Sequence, residues 1–424
     1  MRATTVAMQL LLAGQAAGQR QHSPSTAAAA DTSNIAMTNS AAPASAFGFA
    51  RPPIAAPGVL SIVGGGTAPG YTGWISILGM PDLSLGPLGN ASWNSPHMQP
   101  VDFGVWQAAD GSWQLQSCIR NTCQTGCDAA AGHALHWNHS RLFFRWESVV
   151  TNSSTFPVRP SDWKQVGVVM IGEPRYGEDI GGLQAPHVTR WGDPPLFHMF
   201  YGSWWSICQA TSEDGKHFTR VLDSNTKASI FTEGGHQGDG PGGEGANTRD
   251  PMLFAIPAAP GVFNFRIVYS AFPKMAGHAS DGVWSRTLSL AGGIDSANAS
   301  KTLMSWGAWG QTVGSLVGYG GSAGEGGSAS ECPFVHFHAA SGYYYLFRTQ
   351  EYSPRGGRTS VYASRDPSNF GVGAQSDAYL VARLPFCAPE ILELADGRVL
   401  VVALKPGLDG FRVAELAFSP AMAM

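Results

Sequence analysis

From about residue 58 to residue 420 the chain repeats one pattern of apolar and polar positions five times. A short alternating run opens each unit, a turn follows, and a second run rich in aromatic or aliphatic residues comes next. Val101-Asp102-Phe103-Gly104-Val105-Trp106 passes through Ala109-Asp110-Gly111 into WQLQSCI, and Ala185-Pro186-His187-Val188 passes through Trp191-Gly192-Asp193 into LFHMFYGSW. Asp250-Pro251-Met252-Leu253-Phe254 leads to FNFRIVYSAF, Cys332-Pro333-Phe334-Val335 to YYYLFRT, and Ala388-Pro389-Glu390-Ile391 to RVLVVAL. A period of two marks strands, because successive side chains of a strand point to opposite faces. Four of the five openings carry Pro, which a strand tolerates at its first residue or on an edge, where its missing N–H costs no ladder bond. The Asp-Gly and Gly turns supply the positive φ that hairpins need. Further strands are expected at 141–146, 206–211, 283–290, 359–364 and 411–418, and almost nothing has a helical period.

The openings recur at intervals of roughly 72 residues, enough for a four-stranded sheet and long loops. Five such units predict an all-β fold, a five-bladed β-propeller with four-stranded antiparallel blades. The competing architecture is a two-sheet sandwich joined to a barrel.

Composition agrees with a turn-rich β protein. Charged residues are 13% of the 424, and Gly (53) and Pro (28) together are about a fifth of the chain, where soluble domains average roughly 25% charged and about 12% Gly plus Pro. This excludes a coiled coil, a helical repeat and a charged disordered chain. The net charge of −4 comes without a basic stripe, so nucleic acid is not an expected partner. No run of 18 apolar residues offers a membrane span. A monomer is expected.

The first fifty residues have a different character. A short apolar stretch after Arg2, then small residues, then Ala/Ser-rich sequence read as a signal or transit peptide (1–22) and a low-complexity linker (23–57), with the propeller filling 58–424. Secretion or the endomembrane route is expected, with a plastid as the alternative; sequons at Asn90, Asn138, Asn152 and Asn298 are compatible with export. Six cysteines do not make a disulfide scaffold. Cys118, Cys123 and Cys127 lie close enough for one local bridge, and the spacing of His133, His136 and His139 behind them fits no tetrahedral metal template well. Cys208, Cys332 and Cys387 sit in apolar runs and read as packing residues.

In a propeller the innermost strand of every blade faces the axis, so equivalent openings converge although they are distant in sequence. Asp102, Asp250 and Glu331 lie at or beside three openings, His187 and Glu390 in the other two. Carboxyls crowded into a partly desolvated funnel cannot all ionise easily, and their pKa values spread. Acid–base cleavage of a glycosidic bond needs that spread.

Arg249-Asp250-Pro251 and Glu331-Cys332-Pro333 resemble the RDP and EC motifs of glycoside hydrolase family 32, the invertase and fructosidase group. The openings VDFGVW, QAPHV, RDPMLF, ECPFVHF and APEIL are similar to those of family 43, the arabinanase and xylosidase group. Asp102 lacks the following Pro of the family 32 nucleophile motif, and family 43 enzymes usually have Gly where Cys332 follows the acid, so the resemblance is to the five-bladed superfamily that holds both. It implies a glycosidase acting on a carbohydrate substrate, with Asp102 as base or nucleophile, Asp250 as the acid that binds hydroxyls or tunes its neighbour, and Glu331 as general acid. Arg249 would bind sugar hydroxyls; His187 and Glu390 are further substrate-contact candidates with a structural role as the alternative, and Trp106, Arg348 and Trp204 are candidates with core packing as the alternative. A non-catalytic carbohydrate-binding propeller and a transglycosylase are the alternatives. No cofactor is implied; calcium occurs in some members, but no ligand set here identifies it. The second RDP, Arg365-Asp366-Pro367, reads as an outer strand and turn. Glu233, Glu244 and Glu325, in Gly-rich stretches, read as solvated acids.

Overall fold

The computed structural model describes residues 59–63, 73–128, 133–134, 140–151, 155–191, 195–233, 248–259, 262–271, 282–288, 330–352, 357–371 and 376–419. The proposed leader and linker, His136, His139, Glu244, Glu325 and the sequons at Asn138, Asn152 and Asn298 lie outside the described residues.

The described strands form five small antiparallel blade sheets and one two-stranded ribbon, Cys127–Asp128 with His133–Ala134. Blade one runs from its inner strand Gln99–Gln107 outward through Trp113–Arg120 and Leu142–Ser148 to Trp163–Met170. Blade two runs from Gln184–Trp191 through Leu196–Gly202 and Ile207–Ser212 to Thr219–Arg220, with Ser229–Phe231 beside the third strand. Blade three has Thr248–Ala259, Val262–Ala271 and Gly282–Leu288 among the described residues. Blade four has Glu331–His338, Tyr343–Glu351, Arg358–Ser364 and Leu380–Leu384. Blade five has Glu390–Glu393, Val399–Leu404 and Phe411–Ser419, and its fourth strand is Val59–Ile62, the first strand of the described chain. The five third strands expected from the sequence are all present. The inner strands touch one another in the order one-two-three-four-five-one, which makes the arrangement a closed propeller. Closure comes from the pairing of Val59–Ile62 with Ser419–Leu416, so the first described strand completes the last blade.

Blades pack face to face through aromatic rings. Trp106 meets Phe218 edge-on at 5.9 Å between blades one and two, Phe254 meets Tyr344 at 6.2 Å between three and four, and Phe103 and Trp146 both contact Phe411 of blade five. Each such side chain, taken from water, contributes on the order of 2–3 kcal/mol.

One glycine sets how closely two blades approach near the axis. A Cβ on Gly104 would stand 2.3 Å from the carbonyl oxygen of Pro186 in the next blade. Gly104→Ala must push blades one and two apart. We expect it to cost about 1–3 kcal/mol, read as a lower denaturant midpoint with an unchanged m-value.

Candidate active site

The inner strands share a bend at their openings. Asp102 (φ 30°), Ala185 (40°), Asp250 (56°), Cys332 (47°) and Ala388 (47°) occupy the left-handed region at equivalent places in the five blades. In blades one, three and four the strand pairing slips there by an extra residue, a β-bulge. A bulge residue with positive φ is ordinarily glycine, because a Cβ there strains the backbone by about 1–3 kcal/mol. This chain keeps a side chain at all five places: alanine at two, and aspartate, aspartate and cysteine at the others. Glu331 and Arg249 each stand one residue before the bend. The acids thus come from two adjacent ring positions, Asp102 and Asp250 from one and Glu331 from the other.

The bends line one axial cavity, bounded by Asp102 and Phe103, Ala185 to His187, Asp250 to Met252, Cys332 and Pro333, and Ala388 to Glu390. Arg249 connects two of the acids: its Nη2 donates to Glu331 Oε1 at 2.7 Å, and its Nε lies 3.5 Å from Asp250 Oδ2. Asp250 Oδ2 also accepts from the Cys332 backbone N–H at 3.1 Å. Asp102 Oδ1 accepts from the Tyr352 hydroxyl at 2.8 Å and the Cys332 thiol at 3.0 Å. Its Oδ2 faces Arg141, whose Nη1 is 3.9 Å away and whose guanidinium lies over the Trp204 ring at 5.0 Å.

Accessibility separates the acids. The Glu331 side chain is 27% exposed, that of Asp102 10% and that of Asp250 2%. Burial, with the Asp102 and Glu331 charges adding to it, pushes the Asp250 carboxyl up to about 7 despite Arg249. The upward shift thus falls on Asp250, the deepest of the three. Burial also raises the Cys332 thiol and the Tyr352 phenol well above their ordinary ranges, with nearby carboxylates adding to it. Both therefore remain hydrogen-bond donors at neutral pH.

Asp102, Asp250 and Cys332 bring two oxygens and a sulfur within 4.8 Å of one another. Calcium takes about six to eight oxygen ligands, which a set containing a thiol does not supply, so no step is drawn through that ion.

His187 and Glu390 line the same cavity, each two residues past its bend. Burial lowers His187 to about 4, so its ring is neutral near pH 7, and raises Glu390 well above the carboxylate range. Trp204 lies in the turn after Leu196–Gly202, against Arg141. Two candidates fall elsewhere. Trp106 is 3% exposed and its indole donates to Gly215 O at 2.8 Å, because it wedges blades one and two together. Arg348 is fully buried in blade four, with Nη2 donating to the Tyr362 hydroxyl at 2.7 Å. Neither reaches the cavity as a sugar contact. Glu233 is not a solvated acid: the residue is half-buried and its carboxylate pairs with Arg286 at 2.6 Å. The second RDP does lie at the end of the third strand of blade four, where Asp366 accepts from Ser368 in a turn. The Cys123–Cys127 disulfide is present, while Cys118 is buried and free.

Cys332, Tyr352 and Arg141 escaped the sequence reading. Cys332 reads as a packing residue from its apolar flanks, yet its thiol points at a carboxylate. A signal for Tyr352 was available: Glu331 pairs with Thr349 in the blade-four hairpin, so the second strand must end beside the opening of the first.

Fold and site together define a five-bladed β-propeller whose axial mouth gathers three carboxyls and an arginine from three blades. No known family profile and no curated protein matches the chain. Among solved structures it is similar to a thermostable family-43 glycoside hydrolase (16% identity, 76% of this chain and 90% of that one, TM-score 0.45). It is also similar to an endo-1,4-beta-xylanase from Bacteroides thetaiotaomicron VPI-5482 (13%, 78% and 97%, TM-score 0.46). A third is the GH43_1 enzyme from Xanthomonas citri complexed with xylose (12%, 77% and 90%, TM-score 0.45).

Proposed function

We propose that this protein is a glycoside hydrolase that cleaves O-glycosidic bonds of oligo- or polysaccharides of the fructoside, arabinoside or xyloside type. The observation that carries the reading is the meeting of Asp102, Asp250 and Glu331, from three blades and 229 positions of sequence, around Arg249 and Cys332. Glu331 has the most exposed carboxyl of the three and protonates the leaving oxygen. At rest its Oε1 accepts from Arg249 Nη2 at 2.7 Å, and sugar hydroxyls that engage Arg249 loosen this pair as the substrate binds. Asp102 acts from the other side, on the sugar carbon or on a water. Asp250, buried and raised, holds a proton inside the cluster and limits its net negative charge. His187 and Glu390 form the neutral floor under the sugar, and Trp204 offers a ring face at the rim.

The test is a screen of the purified protein against fructosides, arabinosides, xylosides and galactosides, scored by reducing-sugar release. Glycan binding with no release from any of them, unaltered by Asp102→Asn, would identify a sugar-binding propeller and sink the proposal. The short-range disulfide supports an oxidising compartment, hence the secretory route.

Asp250 makes stability depend on pH. Its folded value, about 7, lies above the ordinary 3.8, so the folded protein binds more protons than the unfolded chain between those values. Stability contributed by this group therefore falls as pH rises from about 4 to about 7, then levels. Asp250→Asn removes the dependence. Its melting temperature relative to wild type is expected to climb across that window in a pH series of thermal melts; a constant difference would exclude the assignment.

A further inference from the structure

Asp102 is held more tightly than a carboxylate at a solvent-facing mouth needs to be. Two donors from blade four converge on one oxygen, Oδ1: the Tyr352 hydroxyl at 2.8 Å and the Cys332 thiol at 3.0 Å. The donors also touch each other, with Cys332 Sγ 2.8 Å from Tyr352 Oη, so the three groups form a closed triangle. Among the described residues no hydrogen bond reaches Oδ2, and Arg141 Nη1 at 3.9 Å stands beyond hydrogen-bond range. Asp102 and Cys332 both lie at the positive-φ bends of their strands, so the backbone on each side of the contact is fixed as well. Tyr352 reaches Asp102 across 250 positions of sequence.

We infer that Tyr352 and Cys332 are positioning residues for Asp102, which hold Oδ1 and leave Oδ2 as the oxygen that meets the sugar carbon or the water. The inference rests on the glycosidase reading and adds to it which atom reacts and what aims it. A carboxylate with two donors on one oxygen is pinned in rotation about its Cβ–Cγ bond, so its second oxygen points in one direction. Burial keeps both donors protonated through the neutral range.

The test compares Tyr352→Phe, Cys332→Ala and Cys332→Ser with wild type and with Asp102→Asn, each checked for native melting behaviour. The probes are para-nitrophenyl α-L-arabinofuranoside, β-D-xyloside and β-D-galactoside, and sucrose. Tyr352→Phe should lower kcat by about 10- to 100-fold with KM changed less than about threefold, the loss expected for a hydrogen bond to a charged reacting group. Cys332→Ala should do the same to a smaller degree, and Cys332→Ser, which restores a donor, should recover most of the loss. Wild-type kcat for both Tyr352→Phe and Cys332→Ala, with Asp102→Asn inactive, would overturn the inference and leave the glycosidase reading standing. Wild-type activity in Asp102→Asn, or no turnover of any probe by wild type, would overturn both.

Discussion

Replacing Glu331 with Gln should slow hydrolysis of a natural oligosaccharide by about a hundredfold to ten-thousandfold, the usual contribution of a general acid. The same variant should lose less than about tenfold on an aryl glycoside whose phenol departs without help from a proton. The contrast follows from the position of the carboxyl: it is the most accessible acid of the cluster and, among the described residues, is clasped by Arg249. Gln keeps the shape and still accepts from Arg249, so folding and sugar binding should persist. Equal losses on both substrates would assign Glu331 to binding and remove it from proton transfer.

Asp102→Asn should be the most damaging single change in the molecule. A base or nucleophile converted to an amide loses its charge and its reactivity together, and a fall of about a thousandfold or more in kcat is expected. Unlike Glu331→Gln, it should be as severe on activated as on unactivated substrates, because no leaving group compensates for a missing attack. Oligosaccharide binding measured by calorimetry should survive within about tenfold, since Asp102 exposes only 10% of its side chain and contributes little of the contact surface. Residual hydrolysis near the wild-type rate would exclude Asp102 from the chemistry.

The blades were legible because a strand's period of two persists wherever one face is buried, and because Pro and Asp-Gly mark the same point in successive units. The ring closure was not: VLSI at 59–62 is too short and too isolated to announce that it pairs with the strand ending at Ser419. The three acids could be found because they sit beside recognisable openings. Trp106 and Arg348, where packing and sugar contact both fit the sequence, turn out to be packing residues for a related reason. Pattern shows that a residue belongs to a strand, and only packing shows whether it faces the axis or is wedged between blades. Tyr352 follows a strand end in a segment with no pattern of its own, and Cys332 looks apolar until the carboxylate beside it is known. In both cases the missing information was a neighbour hundreds of positions away.

The repeated backward kink has a consequence for how such a molecule changes over generations. The main chain takes the same contour at Ala185 and Ala388 as at Asp102, Asp250 and Cys332. The two alanines are unused sockets of matching shape, and a single codon could seat a polar group there without rebuilding a strand. New specificities are therefore open to this scaffold through point substitution on a frame that already tolerates the distortion.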